Sequence, residues 1–513
     1  MSRQPSETSP LLANNNNRQP GFDDANAKNI VDFDPNGDEA NPMDWSNAYK
    51  YGIVALLAFT AFTVTFTCIA VVPVASHIVK DLDGHPDKSS SVLLVTIWEL
   101  GEAAGPLFLA PLSEIFGRYP VMNGANMLFI AATLLASFAP TSAVLIAARF
   151  LTGLAVASNV LNPSIVGDMF VSEERGTAMS FIMLAPLMGG AIGPAISGAV
   201  AETLGWREML WICAGLAMAC EICFLTLFRE TFKVPILARR AARLRKETGN
   251  EFLQTRFEFE GSQKTGKVWE SIMRPIVVFC GSGVLQAMSI FGSVSYTYFY
   301  VISVTLPDIL EDQYHLSAAA TGAAFVSFSA GSVVSVVLCN RGLDRIYIHM
   351  RSKNNGVGLP EHRLPLAIAG GFLLPVAILY YGWAADVHLP LAAMLVAVGI
   401  LGASLMLSVL PLMAYVVDAF GLYSASAMTA VIVTRCLMGT FLPLAAQPLI
   451  DKLGMGPAFT CLAGLSLALA PVPVAVMSEC IAQYGSFARE LGLERRRAEA
   501  IRDEQEQYTK QDL

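Results

Sequence analysis

The sequence predicts an all-α membrane protein of twelve transmembrane helices in two six-helix halves, and three observations carry that reading. Hydrophobic residues make up 54% of 513 positions and charged residues only 15%, with a mean hydropathy of +0.51; an ordinary soluble domain carries about 25% charge. The charge is segregated, because 43 of the 76 charged side chains fall in residues 1–50, 229–274 and 478–513. Two apolar blocks remain, 51–228 and 275–477, each with room for six spans of about 20 residues.

Residues 1–50 are expected to form a disordered cytosolic N-terminus, since 1–44 are rich in Asn, Asp and Pro and poor in aromatics. They lack the apolar core of a signal peptide. Within them Glu7 to Leu12 fits a dileucine sorting address, which keeps the vacuolar membrane open as an alternative to the plasma membrane. The spans are expected near 51–75, 91–112, 120–139, 143–167, 176–201 and 208–228, then 275–304, 316–338, 364–383, 388–417, 423–448 and 457–477. Period-two alternation of the barrel type is absent, so backbone groups in lipid must be satisfied within helices. Residues 229–274 form a basic, helix-compatible cytosolic linker, and 478–513 a cytosolic tail.

With both ends in the cytosol, 28 of the 34 Lys and Arg side chains fall on the cytosolic side and four (Lys80, Lys88, Arg207, Lys452) outside; this asymmetry fixes the expected orientation. The net charge of −8 argues against nucleic-acid binding. The nine cysteines lie in or beside apolar runs, so no extracellular disulfide framework is expected, and Cys220 and Cys223 form a lone CxxC inside a helix, which reads as core packing.

Five charges fall inside spans: Glu99, Glu102, Arg149, Glu221 and Arg435. On insertion scales a mid-bilayer charge costs at least about 2.5–3.5 kcal/mol, so each asks for a partner or a cavity. Glu99 lies about 12 Å into span 2, and Glu102, three residues on, shares its helical face. Two carboxylates so placed repel, which favours a proton on one of them. Glu99 and Glu102, with Arg149 as the cation that holds one ionised or binds substrate, are therefore the proton-coupling candidates, a fixed structural partner being the equal alternative for Arg149. Arg435 reads as structure or as a contact for an anionic substrate, and Glu221 as a lipid-side or interhelical residue.

Short motifs narrow the class. The turn between spans 2 and 3 runs from Gly105-Pro106 through Pro111, Ser113 and Glu114 to Gly117-Arg118 and Pro120. It resembles the loop motif of the major facilitator superfamily in its fungal multidrug form. Glu114 and Arg118, at i,i+4, could pair with each other or with Asp168, so Glu114, Gly117, Arg118 and Asp168 make a candidate conformational latch. Arg149 to Gly153 resembles the family's intramembrane arginine motif. Gly189, Gly193, Pro194 and Gly198 resemble its antiporter motif, with Ser197 in place of one Gly. Gly205-Trp206-Arg207, Arg229-Glu230-Thr231-Phe232 and Pro360 to Pro365 match further.

Together these motifs resemble the fungal drug:proton antiporter family with twelve spans, over nearly the whole chain from Asn41 to about residue 480. The resemblance implies the major facilitator fold, efflux driven by inward proton movement, and a cavity lined by spans 1 and 7. There Tyr296 and Tyr300, at i,i+4, join Arg435 as substrate-cavity candidates. The second half departs from the pattern: Gly342-Leu343-Asp344-Arg345 is a degenerate counterpart of the loop motif, and span 11 lacks a Gly-Pro pair.

The expected function is proton-coupled export of small organic molecules, such as drugs or secondary metabolites, by a monomer working in lipid without cofactor or metal. The rival is an organic-acid or metabolite exporter or uniporter in which Arg149 and Arg435 bind the anion. A receptor is disfavoured by the 36-residue tail, and an enzyme by the want of a His pair, a metal cluster or an activated nucleophile in the spans.

Overall fold

The computed structural model describes residues 30–478 apart from 35–36, 86, 251, 260–266, 354–357 and 422–423. The Glu7–Leu12 address and the 479–513 tail lie outside the described residues. Twelve apolar helical passes are present among them, eleven of full length and a shorter one at span 4.

In the first half, span 1 is α1 (Asn47–Ile69), continued through a 3-10 turn at Val72–Val74 into α2 (Ala75–Asp83). Pro73 has no N–H to continue the ladder, so the helix breaks there. Span 2 is α3 (Lys88–Phe116) and span 3 is α4 (Arg118–Ser137). Span 4, expected as one helix, is two: α5 (Ser142–Leu154) and α6 (Ser158–Met169). The first piece closes with a tight turn in which Val156 N–H donates to Gly153 O at 3.0 Å. Spans 5 and 6 are α7 (Ser172–Thr203) and α8 (Trp206–Leu227).

The linker carries α9 (Lys233–Thr248) and a short strand, β2 (Gln254–Thr255), which pairs in parallel with β1 (Ile30–Val31). Within the segment expected to be disordered, the described residues include this strand and a 3-10 turn at Pro42–Asp44. Acids of this segment meet bases of the linker: Asp38 pairs with Arg240, and Asp32 with Arg256 at 3.4 Å.

After a four-residue helix, α10 (Arg256–Phe259), the second half begins with span 7 as α11 (Lys267–Gly281) and α12 (Gly283–Asp312). Ser282 separates them and accepts from Leu285 N–H as the cap of α12. Span 8, α13 (Ala318–Lys353), outruns its expected end at 338 by four turns. Its extension is polar, so hydropathy stops early; Asp344 and Tyr347 on it contact Arg363. Then come α14 (Pro365–Asp386), α15 (Leu391–Phe420), α16 (Ser424–Leu453) and α17 (Met455–Leu469), with a last helical turn at 472–478.

Two seams join the halves: span 2 against span 11, and span 5 against span 8. In the second, a Cβ on Gly322 would lie 1.9 Å from Pro194 O, and one on Gly198 2.2 Å from Ala318 O. Only glycine permits backbones so close. Both contacts lie toward the end of the bundle opposite the β1–β2 strap. There Ser76 Oγ also donates to Asp308 at 2.9 Å, and His77 pairs with Glu311 at 3.0 Å.

Candidate functional site

The seam between spans 2 and 11 is a ladder of polar contacts running inward from that closed end. Lys88 meets Asp451 at 2.6 Å at its mouth. Thr96 and Thr440, both fully buried, each place a hydroxyl 3.4 Å from the other's backbone carbonyl, sharing its proton with the carbonyl one turn back, Val92 O at 3.1 Å and Cys436 O at 2.9 Å. One turn further in, Tyr300 of span 7 donates its hydroxyl to Glu99 Oε1 at 2.5 Å. At the next rung Arg435 Nη2 donates to Glu102 Oε1 at 3.0 Å. At about 1.5 Å per residue the three inner rungs lie about 12, 16 and 21 Å from Lys88 along α3.

Glu99 is 0% and Glu102 1% exposed, so each carboxylate is shielded from water. Their two partners differ in kind: Glu102 faces a guanidinium, whereas Glu99 faces a neutral phenol. Gly439 makes room for this, since a Cβ there would lie 3.2 Å from Glu99 Oε2 and 3.3 Å from the Tyr300 ring. The Arg435 guanidinium lies 4.5 Å from the Tyr296 ring centre, and the Tyr296 and Tyr300 rings are 6.1 Å apart. Five of the sequence candidates, Glu99, Glu102, Tyr296, Tyr300 and Arg435, therefore form one constellation from both halves. Glu99, Glu102 and Cys436 also offer three ligand atoms within 4.8 Å of one another. A four-ligand metal site would need one more, and Arg435 already supplies the positive charge at that point.

Arg149 is placed elsewhere. It is 2% exposed and donates to the backbone carbonyls of Cys68 at 2.6 Å, Thr67 at 3.1 Å and Leu94 at 3.4 Å. The first two belong to the last turn of α1, whose carbonyls are left without helical donors where the chain breaks toward Pro73. The expected contact between Arg149 and the span 2 carboxylates is thus replaced by capping of a broken helix, and Arg435 occupies that position from the opposite half.

The loop motif closes on itself. Arg118 Nε meets Asp168 Oδ2 at 3.3 Å and Nη1 donates to Ser113 Oγ at 2.6 Å. Glu114 points outward and exposed, with no ion pair among the described residues; the i,i+4 pairing with Arg118 is not made. The acid that sequence reasoning left without a role is Glu230. Its carboxylate accepts from the N–H groups of Arg118 (2.8 Å), Tyr119 (3.2 Å), Thr231 (3.1 Å) and Phe232 (2.9 Å). Gly117, at φ +102°, lies against it: a Cβ would stand 2.2 Å from Glu230 Oε2. The signal was present as the Arg229–Phe232 motif.

The second half repeats the device without repeating the sequence. Arg363, at the start of span 9 as Arg118 is at the start of span 3, pairs with Asp418 at the end of span 10 and with Asp344 at 3.5 Å. Asp168 holds the matching place at the end of span 4.

The antiporter motif packs span 5 on both sides. A Cβ on Gly189 would lie 3.2 Å from Phe62 O, and one on Gly193 3.6 Å from the Phe66 ring, both on span 1, while Pro194 and Gly198 face span 8.

Comparison with known proteins agrees with this architecture. The efflux pump radE of Floropilus chiversii is 33% identical over 447 residues, 87% of this chain and 83% of that protein. The MFS transporter cpaT of Aspergillus oryzae is 32% identical over 446 residues, 86% of this chain and 89% of its own. Among solved structures, the partially occluded inward-open xylose transporter XylE from E. coli superposes with a TM-score of 0.62 at 15% identity, over 83% of this chain and 97% of that one. The human organic anion transporter MFSD10 gives 0.57 at 16% identity, over 82% and 98%. At such identities these structures speak for the fold alone. The family model described as Major Facilitator Superfamily matches residues 55–443, and the chain belongs to that superfamily of membrane transporters.

Proposed function

We infer that this transporter exports small organic molecules, secondary metabolites or drugs, in exchange for protons moving inward. One observation carries the proton step. Glu99 is fully buried at the seam of the two halves with a neutral hydroxyl as its hydrogen-bond donor, while its neighbour Glu102 is neutralised by Arg435. A buried carboxyl whose one hydrogen-bond donor is a phenol, beside a guanidinium already paired with Glu102, is what supports placing the proton step there. Gaining a proton makes it neutral when the halves close over it, and losing the proton leaves a charge that favours an open, hydrated cleft. Substrate and proton then compete for one gap between the halves, which is antiport. The name of radE, an efflux pump, favours export.

The rival anion-binding reading draws less support: Arg149 is spent on backbone carbonyls, and Arg435 gives Nη2 to Glu102, leaving Nε without a hydrogen-bond partner. The Lys and Arg distribution supports placing the strap end in the cytosol, which makes the described state closed to the outside. The test is accumulation of a mixed panel of cations, organic acids and neutral metabolites into inside-out vesicles under an imposed proton gradient. Uphill accumulation that collapses with a protonophore supports antiport; accumulation indifferent to the gradient overturns it.

A further inference from the structure

A separate group of buried polar atoms lies inside the N-terminal half, away from both seams. Glu221 on α8 is 1% exposed, and its Oε2 accepts from Asn126 Nδ2 of α4 at 2.8 Å while Oε1 has no partner. No ion pair reaches it among the described residues. Of the helices packed on α8, α4 presents Asn126, α1 presents Thr60 to the neighbouring Cys220, and the charges of α7 lie only in its end turns. On its own helix the titratable neighbours are the thiols of Cys220 and Cys223.

Beside this group a pocket lined by Thr60, Thr63, Asn126, Ser158 and Cys220 opens at the point where span 4 is broken. The Thr60 and Thr63 hydroxyls are committed to carbonyls one turn back. Ser158, 3% exposed, lines the pocket with a hydroxyl that has no partner. The space admits at least one water, and the polar groups around it are the kind that hold one.

An ionised carboxylate with one amide donor is costly at this depth. The neutral acid fits: Oε2 accepts from Asn126 as a carbonyl oxygen, and Oε1–H has no protein acceptor, with Asn126 and the adjacent Cys220 joining Glu221 to the pocket. We propose that Glu221 is a second proton-holding site, whose acid gives up and regains its proton through water in the Thr60–Asn126–Ser158 pocket. In release the O–H bond breaks, its electron pair stays on the carboxylate, and the proton passes to the water. Because the pocket sits at the break in span 4, proton occupancy biases that hinge without competing with substrate. The proposal does not rest on proton coupling at Glu99.

Full-length protein in liposomes, studied by infrared difference spectroscopy across a pH titration, tests it. The expected signal is a protonated-carboxyl C=O band that shifts in heavy water, is lost in Glu221→Gln and is kept in Glu99→Gln. Transport by Glu221→Gln stays uphill but loses one inflection of its pH profile. Should Glu221→Gln fail to insert, Asn126→Ala gives the second reading: losing the donor to the ionised form moves the titration of the band about one pH unit alkaline. A spectrum unchanged in Glu221→Gln, or a titration unmoved in Asn126→Ala, overturns the proposal. A wild type that fails to transport uphill while keeping the band overturns the antiport reading alone.

Discussion

Glu102 and Arg435 meet 3.0 Å apart from opposite halves of the chain, the carboxylate 1% exposed. Removing one partner of such a pair strands the other charge in low dielectric, at about 3–5 kcal/mol. Glu102→Leu is therefore expected to lower thermal stability in detergent severely, and the double variant Glu102→Leu/Arg435→Met to recover most of it. A double variant that loses the sum of the losses in Glu102→Leu and Arg435→Met taken singly would show that the two residues are not coupled.

Glu99→Gln keeps an acceptor for Tyr300 and nearly the same shape, so the protein is expected to insert normally. On the proposed coupling at Glu99, uphill accumulation should vanish while downhill exchange persists, because the acid is gone and the cleft is kept. Retention of gradient-driven transport would move coupling away from this residue.

Glu230 and Glu114 offer a matched contrast. Glu230 gathers four backbone N–H groups, and Glu230→Ala is expected to cost about 2 kcal/mol or more. Exposed Glu114→Ala should fall within about 0.5 kcal/mol of the parent. Thermal melts of the two purified variants decide it; a larger loss at Glu114 would refute the network described here.

A side chain at Gly322 cannot fit against Pro194 O at 1.9 Å. Gly322→Val is expected to wedge spans 5 and 8 apart and weaken closure at the end away from the strap. An introduced cysteine at Ser91, on the same end, should then react several-fold faster with an impermeant maleimide. An unchanged rate would mean that this seam does not govern closure.

Asp38 of the N-terminal segment pairs with Arg240 of the linker. Asp38→Ala is expected to expose α9 to trypsin at its arginines while leaving the melting of the membrane bundle alone, since a partly exposed pair contributes under about 1 kcal/mol. Digestion at the parent rate would show that the β1–β2 pairing suffices by itself.

The passes were legible because lipid leaves the backbone one solution, and length and hydropathy reveal it. Breaks were not. Span 4 parts at Ala155–Ala157 and span 7 at Ser282, where the residues are as apolar or as small as their neighbours and the interruption is decided by packing. At the site, charges buried in apolar runs announced themselves: Glu99, Glu102 and Arg435 were visible from cost alone. Their pairing was not, because Arg149 and Arg435 are equivalent in a hydropathy profile, and only the fold shows that one caps α1 while the other crosses the seam. Glu230 was hidden for a similar reason. It sits where acids are common, and two of its four amides, those of Arg118 and Tyr119, reach it only when the start of span 3 meets the end of span 6.

The glycine contact between spans 5 and 8 bears on how the halves move. Where backbone lies directly on backbone, as at Gly322 on Pro194 and Gly198 on Ala318, there are no interleaved side chains to withdraw before one helix slides over the other. Such a surface resists little and remembers nothing of its register. The directional bonds that hold the closed state then lie mainly outside this glycine contact: Thr96 with Thr440, Glu99 with Tyr300 and Glu102 with Arg435 along the neighbouring seam, and Ser76 with Asp308 and Lys88 with Asp451 at its mouth. A smooth bearing on one side and a chemical clasp on the other would divide the work of closure between the two seams.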